Sequence, residues 1–136
     1  MSFIALQWNA EFDTHIEEID LQHQYFLRLI NRLSEELPLA RDEHYRWSLL
    51  NELSRYAAFH FLSEENLMFK LGYPGLEKHR QLHFNLLDKL SSRMGNSTSE
   101  ELLGFLVEWF VQHTTQEDRL IGEFARSRDA GGMARE

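Results

Sequence analysis

The sequence predicts an all-α fold, an antiparallel up-down-up-down four-helix bundle preceded by an N-terminal arm. Three observations carry that expectation. Apolar residues recur at helical spacing through four long stretches. No segment alternates with period two, the signature of a strand. The stretches are joined by short connections marked by Pro38, by Gly72-Tyr73-Pro74-Gly75 and by Gly95-Asn96, which force consecutive helices to run antiparallel.

Residues 1–19 read as a non-helical arm and lead-in, with Trp8 and Phe12 as anchors onto the body. The first helix is expected over 20–37, with Asp20 as N-cap and Leu21, Tyr25, Phe26, Leu29, Ile30 and Leu33 at helical spacing before Pro38 closes it. A second spans 42–70 and stops at Gly72. Pro74 suits the first turn of a third, over 74–94. Thr98 and Glu101 form the pattern of a capping box at the start of the fourth, over 98–125. The tail 126–136, containing Gly131-Gly132, is expected to fray. At 136 residues without repeats or low-complexity segments, the chain reads as one domain over 1–136.

Composition narrows the chemistry. The net charge is −8 and Lys and Arg form no cluster, which argues against nucleic acid or an anionic membrane surface as partner. No apolar run has transmembrane length, and the stretch from Met1 to Trp8 lacks the basic start and cleavage site of a signal peptide. The chain has no Cys, which excludes disulfides and thiolate metal sites and is compatible with a reducing cytoplasm, the expected location. Any metal must be held by His, Asp and Glu.

Each helix carries polar residues where the apolar pattern places the core. His60 and Glu64 are four apart and stack on one helix face, as do His79 and His83. His23 stands in the first helix, and His113 and Asp118 in the fourth. Singly, each has an ordinary explanation. An inward His is more often a hydrogen-bonded core residue than a ligand, and His60 with Glu64 could be a helix-face pair. Antiparallel packing, however, brings all four clusters to one level: early in the first and third helices, late in the second and fourth. Five His and two carboxylates exceed what one metal uses, whereas two ions sharing two bridging carboxylates use them naturally. Nitrogen and oxygen donors leave Fe, Mn, Zn and Cu open. A structural bundle with zinc at His79 and His83 accounts for only part of the set.

The segments Ile19-Asp20-Leu21-Gln22-His23, His60-Phe61-Leu62-Ser63-Glu64-Glu65-Asn66-Leu67-Met68, Gly72-Tyr73-Pro74, His79-Arg80-Gln81-Leu82-His83 and Trp109 through Asp118 together resemble the hemerythrin family, and within it the single-domain bacteriohemerythrins. The resemblance covers about residues 8–124. It implies a non-haem di-iron site with an oxo or hydroxo bridge. His79, His83 and His113 would hold one iron, His23 and His60 the other, with Glu64 and Asp118 bridging. Dioxygen would bind reversibly at the iron held by His23 and His60, for carriage, storage, delivery or sensing. Phe26, Phe61 and Phe110 are expected to wall that pocket. The implied protein is a monomer, with an unidentified protein acceptor as its other partner. The alternative is a di-iron enzyme acting on peroxide or nitric oxide. A ferritin-like oxidase fits poorly, because no His here has Glu three residues before it.

Thr114, Phe110 and His15 stand where the family commonly has Ile, Leu and Gly. His44 is expected to be solvated and His15 structural or on the surface. Gln22 is placed behind a ligand, and Glu65 either there or at the surface. One spacing is awkward. His113 and Asp118, five apart, are separated by about 140° on an ideal α-helix, so the helix widens in a π-type turn or Asp118 leans across.

Overall fold

The computed structural model describes residues 6–135, with side chains described for 6–128, so the first five residues of the expected arm lie outside it. Helix α1 spans Glu17–Glu36, α2 Glu43–Leu71, α3 Leu76–Asn96 and α4 Ser99–Gln112; α4 continues through a π-helical turn, His113–Asp118, into α5, Arg119–Arg135. The rod from Ser99 onward is the fourth helix of an antiparallel four-helix bundle. Helix α2 packs against α1 and α3, and α1 against α4.

Sequence-encoded caps set the helix ends. The Asp42 side chain accepts from the Tyr45 N–H, satisfying a donor that α2 cannot. Thr98 and Glu101 form the expected capping box, each side chain accepting from the other's backbone N–H. Gly72, at φ 72°, ends α2 in a left-handed turn in which the Tyr73 and Gly72 N–H groups donate to the Met68 and Phe69 carbonyls.

Three boundaries differ from the sequence expectation. Helix α1 starts at Glu17, a turn before the expected cap, because Ile16 and Ile19 extend its apolar face. Asp20 therefore sits inside the helix and reaches back to the arm, accepting from the Thr14 N–H, the Thr14 hydroxyl and the His15 N–H. Helix α3 starts at Leu76, which leaves Pro74 in the preceding turn. The fourth helix is not closed at 125: α5 runs on to Arg135, and the Arg128 guanidinium donates to the Leu71 carbonyl at the end of α2.

The core has two parts. The larger cluster includes Phe12, Phe26, Leu33, Leu50, Leu53, Phe61, Leu102 and Phe110, and the smaller one is Ile19, Met68 and Ile121. In α1, α2 and the α4–α5 rod, polar residues fall between these clusters: His23 between Ile19 and Phe26, Glu64 between Phe61 and Met68, His113 and Asp118 between Phe110 and Ile121. The bundle is thus apolar above and below one polar layer.

Candidate metal centre

All seven candidates meet in that layer. His23, His60, Glu64, His79, His83, His113 and Asp118 are buried, none more than 5% exposed. The i,i+4 geometry of α2 brings His60 Nε2 to 3.1 Å from Glu64 Oε2. From α3, His79 Nε2 lies 3.1 Å from both Glu64 Oε1 and Asp118 Oδ1, and His83 Nε2 lies 3.1 Å from Glu64 Oε1. His23 Nε2 approaches Asp118 Oδ2 at 2.9 Å and Glu64 Oε2 at 3.4 Å.

The five-residue spacing of His113 and Asp118 is met by the π-helical turn that spans both, placing His113 Nε2 3.2 Å from Asp118 Oδ1. An i→i+5 ladder stacks residues that an α-helix would splay. Where the ladder changes register, the Thr115 hydroxyl donates to the Val111 carbonyl at 2.7 Å.

The donor atoms fall into two groups, each within 4.8 Å of one another: Glu64, His79, His83, His113 and Asp118, and His23, His60, Glu64 and Asp118. Glu64 and Asp118 belong to both. The contacts are short but mostly fail as hydrogen bonds. His23 Nε2, His83 Nε2, His113 Nε2, Glu64 Oε2 and Asp118 Oδ2 are buried without a hydrogen-bond partner. Orphaned buried polar atoms are costly. Nitrogens that crowd carboxylate oxygens without aligning on them suit ligation of a shared ion better than pairing. The residues fit two metal ions.

Groups behind the rings orient two of them. The His60 Nδ1–H donates to Gln22 Oε1 at 2.7 Å, and the Gln22 amide donates in turn to Ser63 Oγ. The His83 Nδ1–H donates to Glu65 Oε2 at 2.8 Å. Both contacts leave Nε2 as the lone-pair atom facing inward. Phe26 and Phe110 stand edge-on to the His23–His60 pair, Phe26 to His60 at 6.0 Å and Phe110 to His23 at 6.1 Å. Phe61 faces the other side as well, lying flat on His83 at 4.1 Å.

Two contributors escaped the sequence reading. Tyr56 lies parallel to His60 and its hydroxyl donates to the Gln22 carbonyl; Trp109 stacks on His113. Each stands four residues before its His, so helical spacing held the signal. Two histidines stay apart from the layer. His44 is exposed on α2, and His15 is exposed in the lead-in at φ 65°, a left-handed conformation that favours Gly.

Without metal, the layer's electrostatics are severe. Burial alone would lower the His23 and His79 pKa values, yet Asp118 and Glu64 raise them to about 9 and about 10. Burial lowers that of His60. Burial opposes ionisation of Glu64 and Asp118, but the histidines around them win and hold both carboxyls below their usual range.

A family model described as the hemerythrin HHE cation-binding domain matches residues 14–125. The chain belongs to the hemerythrin family. This hemerythrin is 29% identical to a bacteriohemerythrin of Clostridium acetobutylicum over 125 residues, covering 82% of this chain and 95% of that protein. It is 30% identical to hemerythrin subunit alpha of Lingula anatina, covering 82% and 87%. A crystal structure of wild-type hemerythrin superposes with TM-score 0.81 at 25% identity, covering 90% of this chain and 98% of that one. Hemerythrins bind a di-iron centre and are oxygen-binding proteins rather than enzymes, so the enzyme alternative finds no support among the relatives. No helix among the described residues is long and apolar enough to cross a membrane.

Proposed function

We propose that this hemerythrin binds dioxygen reversibly at a di-iron site, with His79, His83 and His113 holding one iron, His23 and His60 the other, and Glu64 and Asp118 shared. The observation that carries the reading is the overlap of the two donor groups in those two carboxylates. Two iron ions, when bound, supply one electron each to dioxygen.

The chain's own residues do the rest. Five neutral imidazoles and only two carboxylates stabilise high iron valence less than a carboxylate-rich set, favouring release of dioxygen over its activation. Gln22 and Glu65 hold the His60 and His83 rings with Nε2 inward. The difference between three and two histidines leaves the His23–His60 side the less crowded, and Phe26 and Phe110, each 1% exposed, keep water from it. We take the protein to be a cytoplasmic monomer that stores dioxygen or delivers it to a protein acceptor; the lack of Cys is compatible with a reducing compartment.

The test is the optical spectrum of the iron-loaded, reduced protein in argon, in air and in argon again. A charge-transfer band that appears in air and vanishes under argon is expected. Immediate irreversible oxidation, or fewer than two irons per chain, would overturn the proposal.

A further inference from the structure

The rings of the metal layer are not backed alike. His83 donates its Nδ1–H to a carboxylate, Glu65, whereas His60 donates to an amide, Gln22. The Nδ1 atoms of His23 and His113 are buried without a partner. The charge behind His83 is also modulated from outside. Glu65 is 16% exposed at the side chain, and the half-exposed Arg80 places Nε 3.6 Å from Glu65 Oε1 at the edge of the groove between α2 and α3. On its other side Phe61 lies flat against the ring, with an interplanar angle of 9°, so His83 is held in one orientation.

We propose that Glu65 is a positioning residue that lowers the reduction potential of the three-histidine iron by acting through His83, and that Arg80 sets how strongly it does so. The inference rests on the di-iron reading above. A carboxylate that accepts the Nδ1–H makes the imidazole a better electron donor at Nε2. A better donor stabilises the ferric ion more than the ferrous one. Gln22 offers His60 no such charge, so the two irons differ in electron supply as well as in histidine count. The iron with three histidines becomes the easier to oxidise, while the iron with the less crowded coordination is left to bind dioxygen. Arg80, by neutralising part of the Glu65 charge, opposes the effect.

Glu65→Gln retains an acceptor for the His83 Nδ1–H and removes only the charge. Spectroelectrochemical titration of the iron-loaded protein should show the midpoint rise by an amount equal to a tenfold change in the one-electron equilibrium, about 59 mV. Arg80→Gln should move it the other way, by less, because Arg80 is half in water. Zn(II) competition against a chelator gives an independent readout: Glu65→Gln should weaken binding by roughly ten- to a hundredfold. A Glu65 that merely braces the fold would lower the melting temperature in both variants without shifting midpoints in opposite directions. Unchanged midpoints, or shifts of one sign, overturn the proposal. If Glu65→Gln misfolds, Arg80→Gln alone decides by the sign of its shift. Wild-type protein that loads fewer than two irons overturns the di-iron reading instead, and is recognised from the iron count before any potential is measured.

Discussion

His113 and Asp118, five residues apart on one helix, bring Nε2 and Oδ1 to 3.2 Å of each other because the backbone between them is π-helical. A register change inside a helix leaves its hydrogen-bond ladder imperfect, and here the Thr115 hydroxyl answers to the Val111 carbonyl. Thr115→Val should therefore destabilise the protein by about 1 kcal/mol, with Thr115→Ser largely restoring it. Urea unfolding of the metal-free protein measures this. Equal midpoints for the wild type and the Val variant would show that the hydroxyl does not support the turn.

Iron should stabilise the fold strongly. Glu64 and Asp118 are at most 1% exposed, and a buried charge that loses its partners costs about 3–5 kcal/mol. Metal-free protein is expected to melt well below the loaded form. Asp118→Asn, which removes one shared carboxylate, should bind fewer than two irons per chain by elemental analysis while keeping its helical circular dichroism.

The metal-free protein should be most stable in mild acid. His23 and His79, raised to about 9 and about 10 by Asp118 and Glu64 against the effect of burial, hold protons more tightly folded than unfolded. Their contribution is complete below their ordinary value of 6.5 and is lost as pH rises through 9 and 10. Glu64 and Asp118 are lowered, so theirs is complete above 4.5 and lost as pH falls. His60, lowered by burial, adds a loss below 6.5. Melting temperatures of metal-free protein should peak near pH 6.5, fall toward pH 10 as His23 and His79 lose their protons, and fall on the acid side first through His60 and then, below 4.5, through the carboxyls. Metal requires neutral histidines, so loading near pH 7.5 should release roughly two protons, from His23 and His79, measurable with an indicator dye.

The arm should be sensitive to one methyl group on α5. A Cβ built on Gly122 would lie 2.0 Å from the Thr14 carbonyl oxygen, and Thr14 is tied to Asp20 by two hydrogen bonds. Gly122→Ala should destabilise by about 1–3 kcal/mol, the cost of overpacking. Gly104, with nothing within 4 Å of its would-be Cβ, is the control: Gly104→Ala should stabilise by about 0.5–1 kcal/mol. Urea unfolding of the two variants should move in opposite directions.

Phe110 separates the His23 ring from the Phe12 anchor, standing 6.1 Å from one and 5.5 Å from the other. Phe110→Ala opens that wall, so the reduced, iron-loaded protein should autoxidise faster in air, with a stability loss of about 3–5 kcal/mol. Phe110→Leu should do both less. An unchanged autoxidation rate in the Ala variant would place the water barrier elsewhere.

Much of the site was legible in the sequence because helical spacing is a local property. His60 with Glu64 and His79 with His83 must share faces on any α-helix, and short connections bring those faces to one level whatever the details of packing. The capping box at Thr98 and the stop at Gly72 were equally local. Asp20 was not, because its side chain serves the arm rather than its own helix, and only the docked position of Thr14 reveals that. The contact of Arg128 was hidden for the same reason, since it finds its acceptor on α2, 57 residues away in the chain.

What the sequence determined by itself was which seven polar residues the helices carry at core positions and the level at which they meet. Tertiary structure decided the rest. It chose the π turn over a leaning Asp118, a choice the five-residue spacing left open because either backbone could reach. It also put the two carboxylates within range of both groups of rings, a relation among four helices that no single helix's periodicity can encode.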